Sequence, residues 1–338
     1  MGAEISFVCR AHTGHLAAHI ESFGFQTHLL SGNSSATGFD ATAMQTNPPH
    51  WEWLGVDQGA DAGQCISSLL GRRTDVLVVD HYSLDARWEC MLRPHVGHIF
   101  VIDDLADRAH DCDTLLDQNL GRSANDYAGR VPQNCRLLIG PSFALLRPEF
   151  ARLREASLER RSAAGLNRVM VSMGGVDQPN ASGRVLDALA HSPVAAGLEV
   201  LVVMGAGAPW LSAIKAQAEH LPFKAEVRVG IDDMGAQMCA SDLSIGAAGG
   251  TAWERCCLGV PTILVVLAEN QQSGAMALDR AGAAYVVDTV DNIGTQLPAY
   301  LSRLEAKENL KRMQAAAASI ADGRGVQRVI ETLENLLA

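Results

Sequence analysis

Aromatic residues are scarce in this 338-residue chain, at 5%, and charged residues reach only 19%, against 48% hydrophobic residues. A chain so poor in charge and so rich in apolar residues buries a core, which excludes a disordered or solvating polypeptide. Basic residues are in the minority, with 27 Lys and Arg against 38 Asp and Glu and a formal net charge of −11. Nucleic acid and acidic membrane surfaces are therefore not expected partners, because both need a positive field to displace counterions. An anionic ligand has to be held by local donors instead. The eight cysteines, Cys9, Cys65, Cys90, Cys112, Cys135, Cys239, Cys256 and Cys257, contain no Cys-x-x-Cys pair and no metal-ligand spacing, and no secretory signal precedes them. They read as free thiols of a cytoplasmic protein, with no metal and no cofactor expected. Long hydrophobic runs are missing too: Thr262 to Ala268 has the length of a buried strand, far short of the roughly 20 residues that span a bilayer.

What the chain does contain is a series of short β-branched or Leu-rich runs. They are Ile5 to Cys9, Thr27 to Leu30, Val76 to Val79, Ile99 to Ile102, Arg136 to Ile139, Val169 to Ser172, Val200 to Val203, Val227 to Val229, Leu243 to Ile245 and Ile263 to Leu267. Most precede helix-like segments, the alternation of parallel sheets with crossover helices. The length favours two domains. The break falls in Leu146 to Asn167, where Arg147-Pro148-Glu149 opens a charged, helix-like stretch ending in Ala163-Ala164-Gly165. The expected division is 1–146 and 147–338, two doubly wound α/β domains with a ligand in the cleft between them at the C-terminal strand edges. The tail from Asn292 reads as helical, with Gly323 and Gly325 stopping one helix before a last amphipathic one.

Two glycine turns each lie between a strand and a helix. Met173-Gly174-Gly175-Val176-Asp177-Gln178-Pro179-Asn180 is the first, and Gly246-Ala247-Ala248-Gly249-Gly250-Thr251 the second. Paired glycines let backbone N–H groups approach a phosphate that also feels a positive helix end. Asn180 reads equally well as a helix N-cap. Glu254 falls in the first turn of the next helix, where a carboxylate is favoured by the dipole even without a ligand; alternatively it accepts from the two hydroxyls of a ribose. Leu267-Ala268-Glu269-Asn270-Gln271-Gln272 supplies amides suited to neutral sugar hydroxyls and acetamido groups, or simply forms a polar loop. Gly230-Ile231-Asp232-Asp233-Met234 places backbone groups to read a base edge, with Ile231 or Met234 over its face.

The Ile-Asp-Asp-Met loop, the Gly-rich turn, the following Glu254, Gly259-Val260-Pro261 and the Gln-rich loop together resemble the nucleotide-binding half of GT-B glycosyltransferases, particularly the lipid II-forming N-acetylglucosaminyltransferases. That resemblance implies Ile231 at uracil, Glu254 at the ribose, and Gly249, Gly250 and Thr251 at the diphosphate. In the N-terminal half, Asp80-His81-Tyr82, Ile102-Asp103-Asp104-Leu105, Leu116-Asp117-Gln118-Asn119 and Gly140-Pro141-Ser142-Phe143 follow in order. This succession resembles the PseG family, hydrolases of UDP-2,4-diacetamido-2,4,6-trideoxy-β-L-altropyranose in pseudaminic acid biosynthesis. The resemblance implies a GT-B-like fold, a UDP-sugar ligand, attack by water on the anomeric carbon, and no metal. It also implies sugar-side roles for Tyr82 and Asn270 and nucleotide-side roles for Asn180 and Glu254. Asp80 and His81 join Tyr82 as catalytic candidates, with Gly174, Gly175, Met234 and Gln271 as further binding candidates. Tyr82 and His81 read alternatively as a half-buried aromatic and a backbone-bonded core histidine.

The family's first strand leads into a Gly-x-Gly-His-x-x-Arg loop whose histidine is the general base, a task suited to neutral imidazole. Here His12-Thr13-Gly14-His15 is followed by Ala18 where the Arg would stand. Phe7 to Leu16 instead resembles the family's second strand, which puts the base loop before Met1 and makes His15 a poor candidate for the base. The N-terminal domain is then expected to be incomplete, with a central strand's neighbours left without ladder partners. A GT-B transferase and a non-catalytic UDP-sugar binder are the competing expectations.

Overall fold

The computed structural model describes residues 2–32, 50–69, 74–161 and 165–337. Ala163 and Ala164, at the end of the expected charged stretch, lie outside the described residues. The chain divides into two compact units, Met1–Asp117 with Arg122–Ile139 and Leu333–Ala338, and Gln118–Gly121 with Gly140–Thr332.

The first unit contains β1 (Ser6–Arg10), α1 (Ala17–Ser22), β2 (Gln26–Leu30), α2 (Gln58–Ser68), β3 (Thr74–Val79), α3 (Ala86–Leu92), β4 (Val96–Ile102), β5 (Thr114–Asp117) and β6 (Arg136–Ile139). Its strands form two parallel sheets, β1-β2 and β3-β4-β5-β6. Among the described residues, no strand pairs with the second side of β1 or with the second side of β3. Both edges are apolar and partly bare: Ile5 and Phe7 remain 49% and 38% exposed, and Val78 53%. Open parallel edges of this kind invite pairing with another strand. Buried polar groups tie the small sheet to the helices. The Arg10 guanidinium pairs with Asp61 of α2, and the Trp88 indole N–H of α3 donates to the other oxygen of Asp61 at 2.9 Å.

The second unit contains α4 (Pro148–Arg161), β7 (Arg168–Ser172), α5 (Ala181–Ala190), β8 (Glu199–Met204), α6 (Leu211–Ala218), β9 (Lys224–Val229), α7 (Met234–Ala240), β10 (Leu243–Ala247), α8 (Thr251–Cys257), β11 (Thr262–Val265), α9 (Gln272–Arg280) and β12 (Ala284–Val287). The helices α10 (Ile293–Leu304), α11 (Lys307–Ile320) and α12 (Gly325–Leu337) follow. Six parallel strands run β12-β11-β10-β7-β8-β9, the doubly wound order that reverses direction between β7 and β10. Side chains alternate between its faces as the two-residue period requires. Val169, Val171, Val200 and Val202 pack with α5 and α10, whereas Met170, Leu201, Val203 and Leu264 pack with α4, α8 and α9. Near-continuous apolar strands are what a sheet covered on both sides needs.

Two strands are absent from the sequence reading. Both β5 and β12 have only four residues. The run starting at Ile263 leaves the sheet after Val265, because the following residues turn toward α9. Among the described residues, no helix is long and apolar enough to cross a membrane.

Candidate nucleotide-sugar site

In the second unit the two glycine turns are neighbours because their strands are. Ser172 pairs with Gly246 across β7 and β10, so the turns leave the sheet side by side at its switch point, where doubly wound folds bind ligands. Gly174 has φ +86° and Gly230 +57°, conformations that an L side chain strains to adopt. A third turn touches the first. A Cβ built on Gly205, just after β8, would lie 2.2 Å from the Gly175 carbonyl oxygen. Gly205→Ala is therefore expected to displace the Gly175 peptide, with a loss of about 1 to 3 kcal/mol in stability. Thermal melting measures it.

The turns differ in how their helices begin. Asp177 accepts from the Ala181 and Ser182 N–H groups at 2.8 and 2.9 Å, and Asn180 accepts from Gly183 N–H at 3.3 Å. The start of α5 is thus capped by its own side chains, and of the readings of Asn180 the N-cap is the one drawn in this geometry. Around β10 and α8 the arrangement is opposite: no side chain caps α8, and Gly250 and Thr251 are exposed. The support comes from beneath. Arg255, 2% exposed, donates to the Ala247 carbonyl at 2.6 Å and to the Thr251 hydroxyl and carbonyl at 2.8 and 3.1 Å. Burial lowers its pKa to about 10, so the guanidinium stays charged under the turn. The sequence reading did not single out Arg255, whose role depends on a fold that hides it.

Glu254 projects from the same helix, half-buried. Burial pushes its carboxyl above the ordinary range, with Glu149 adding to the rise while Arg147 and Arg255 oppose it. Ile231 and Met234 are partly buried against the core face that includes Trp253 and Met238, Asn270 is exposed, and the Gln271 side chain accepts from Leu267 N–H at 3.1 Å.

In the first unit, Asp80, His81 and Tyr82 follow directly after β3. His81 Nδ1 accepts from the Ser83 N–H at 3.1 Å, which leaves the neutral ring donating through Nε2. Burial lowers its pKa; Asp61 opposes this, while His12, Arg108 and Arg10 reinforce it. The Nδ1 acceptor of His81 is thus occupied by its own turn, and the ring is half-buried. The histidine whose charge reaches it is His12; His12 and His15 are both exposed, and His15 accepts from Ala17 N–H at 3.4 Å. Burial raises the carboxyl of Asp80.

Tyr82 donates its hydroxyl to Asp104 Oδ2 at 3.0 Å, and its ring stands 5.7 Å from both His50 and Trp53. Burial and the Asp104 charge push the phenol well above the ordinary range. Asp104 was only part of a quoted motif in the sequence, and its contact with Tyr82 spans 22 residues. Asp103 beside it and Asp117 of the next motif bind within the fold instead. The Tyr127 hydroxyl lies 2.9 Å from both Asp103 and Asp117, while Arg108 pairs with Asp103 at 2.9 Å and Arg122 with Asp117 at 3.1 Å. This buried network ties the ends of β4 and β5 together. Among the described residues, no group of three or more His, Cys, Asp or Glu is arranged to hold a metal ion.

Residues 168–332 match the model of the glycosyltransferase family 28 C-terminal domain. The spore coat polysaccharide biosynthesis protein SpsG of Bacillus subtilis is 26% identical over 208 residues, 61% of this chain and 60% of that protein. The UDP-2,4-diacetamido-2,4,6-trideoxy-beta-L-altropyranose hydrolase of Campylobacter jejuni is 28% identical over 131 residues, 39% of this chain and 46% of that one. The chain thus spans about half the length of these curated relatives. In structure it is similar to Acinetobacter baumannii MurG, with a TM-score of 0.59 at 15% identity over 98% of this chain and 99% of that one. The fold is GT-B-like, and its second unit carries a glycosyltransferase-28-like domain.

Proposed function

We propose that this protein is a UDP-sugar hydrolase acting on UDP-2,4-diacetamido-2,4,6-trideoxy-β-L-altropyranose or a close relative. The observation that carries the nucleotide half is the adjacency of the turns at Gly174-Gly175 and Gly249-Gly250-Thr251 at the switch point of one sheet, with Glu254 one turn beyond. Exposed N–H groups of the second turn take the diphosphate, with the Arg255 charge beneath them. Glu254 accepts from the ribose hydroxyls, Ile231 and Met234 meet the base, and Asn180, Asn270 and Gln271 supply further polar contacts. The sugar-side groups are those of the first unit, Asp80, His81 and Tyr82. The 28% identity with the Campylobacter jejuni hydrolase favours this substrate.

In the reaction, a water oxygen bonds to the anomeric carbon as the bond from that carbon to the β-phosphate oxygen breaks. The electron pair leaves with UDP, and the water proton passes to a base. His81 does not suit that task, since its acceptor nitrogen is bonded to Ser83 N–H; its Nε2–H instead donates. Attack opposite the leaving diphosphate inverts the anomeric centre.

The test is release of UDP from the named substrate without any acceptor alcohol, followed by a coupled assay and by NMR of the freed sugar. UDP released only when an acceptor alcohol is added would assign a transferase, the reading that the family 28 domain favours. Glu254→Gln keeps the side chain's size but loses its charge. It is expected to weaken UDP binding by about 2 kcal/mol, roughly thirtyfold; unchanged affinity would remove Glu254 from the ribose.

A further inference from the structure

We propose that Asp104 is a positioning residue: by accepting the hydrogen bond of the Tyr82 hydroxyl it holds the phenolic oxygen as a hydrogen-bond acceptor for an N–H or O–H of the sugar. This rests on the hydrolase reading above. A phenol has one hydrogen and can either donate or accept toward a ligand. Here the hydrogen points to Asp104 Oδ2, so the remaining lone pairs face elsewhere and can only accept.

The platform that holds Asp104 is built for fixed geometry. Arg122 Nη2 donates to the backbone carbonyls of Asp104 and Leu105 at 3.0 and 2.8 Å, and Arg122 is itself held by Asp117. Asp117 and Asp103 are joined through Tyr127. Asp104 thus follows a strand end whose orientation is set by buried pairs, the arrangement that pre-organises a functional side chain. On the other side of Tyr82, Trp53 is 55% exposed and packs edge-on against its ring, with His50 tilted beside both. An acceptor oxygen flanked by exposed aromatic surface matches the chemistry of an acetamido group, whose N–H is a donor and whose methyl is apolar.

Several charged groups share this corner. Asp80 and Asp103 repel a charge on Asp104, Arg108 favours it, and His81 lies between Asp80 and Tyr82 in the chain. Burial together with Asp103 and Asp80 raises the Asp104 carboxyl, against the Tyr82 hydrogen bond and Arg108. The acceptor state of Tyr82 requires ionised Asp104, so it is present above that raised pKa and is lost as the pH falls through it.

The experiment compares wild type, Tyr82→Phe, Asp104→Asn and the double variant in turnover and in binding of UDP and UDP-N-acetylglucosamine. Asp104→Asn keeps the size but lets an amide N–H donate to the phenolic oxygen. Each single variant is expected to raise KM about tenfold with little change in kcat, and the double variant no further than either, because both remove one interaction. Asp104→Asn also loses the acid limb of kcat/KM. UDP affinity stays within about twofold in all of them. If wild type releases no UDP from any UDP-sugar, the hydrolase reading fails, and the assignment of Asp104 is decided by binding alone. Both variants must then weaken UDP-N-acetylglucosamine equally and leave UDP unchanged. Additive losses, a retained acid limb, or equal loss of UDP itself would overturn the proposal, and Tyr82→Phe keeps it testable if Asp104→Asn folds poorly.

Discussion

Replacing Asp61 by Ala is expected to cost the first unit about 3–5 kcal/mol, the usual loss when one partner of a buried ion pair is removed. Asp61 and Arg10 expose only 7% and 4% of their side chains, so the guanidinium left behind has little access to water. The same substitution strips the Trp88 indole N–H of its acceptor. Because Arg10 ends β1 while Asp61 and Trp88 belong to α2 and α3, the loss also loosens the small sheet, which has no ladder to β3. Denaturant unfolding followed by tryptophan fluorescence measures it. A change below about 1 kcal/mol would place the pair among those that contribute almost nothing.

Arg161→Ala is the matching experiment in the second unit, with an expected loss of about 3 to 4 kcal/mol. Arg161 is 4% exposed and donates to the carbonyls of Ser157, Leu258, Met238, Cys239 and Ser241, at distances from 2.6 to 3.2 Å. All but that of Ser157, which lies one turn back in α4, cluster at the C-terminal ends of α7 and α8, where helices leave their last acceptors unpaired and where cations are favoured. Burial lowers the guanidinium pKa to about 10, still far enough above neutrality to keep the charge. Removing it strands several buried acceptors and opens a cavity together. A companion Arg161→Lys variant is expected to recover only part of the loss, since one ammonium cannot reach carbonyls arranged for a planar fork. Full recovery would mean that charge alone matters at this position.

These two residues illustrate what local sequence leaves undecided. Arg161 lies in the charged, helix-like stretch, with nothing local to single it out, yet it is among the most enclosed cations of the described residues. Apart from Ser157, its partners are about 80 to 100 positions away, a separation that no periodicity encodes. Asp103 and Asp117 belong to motifs that suggested chemistry, and the fold uses both to anchor Tyr127. Asp104, one residue along, points toward Tyr82 instead.

The short apolar runs Val169 to Ser172, Val200 to Val203 and Ile263 to Val265, each followed by a helix-like segment, together with glycine turns placed between strands and helices, were enough to point to a doubly wound α/β protein and its candidate ligand turns. Those signals are local, since each depends on a short apolar run or on a backbone angle that only glycine adopts freely. Strand order is not local. Only the tertiary structure set β7 against β10, which brought the turns at Gly174 and Gly249 together. Likewise, His81 had to be seen against Ser83, and Asp104 against Tyr82, before acceptor could be told from donor. Hydrogen-bond direction depends on which groups meet in space, and a sequence states only which groups exist.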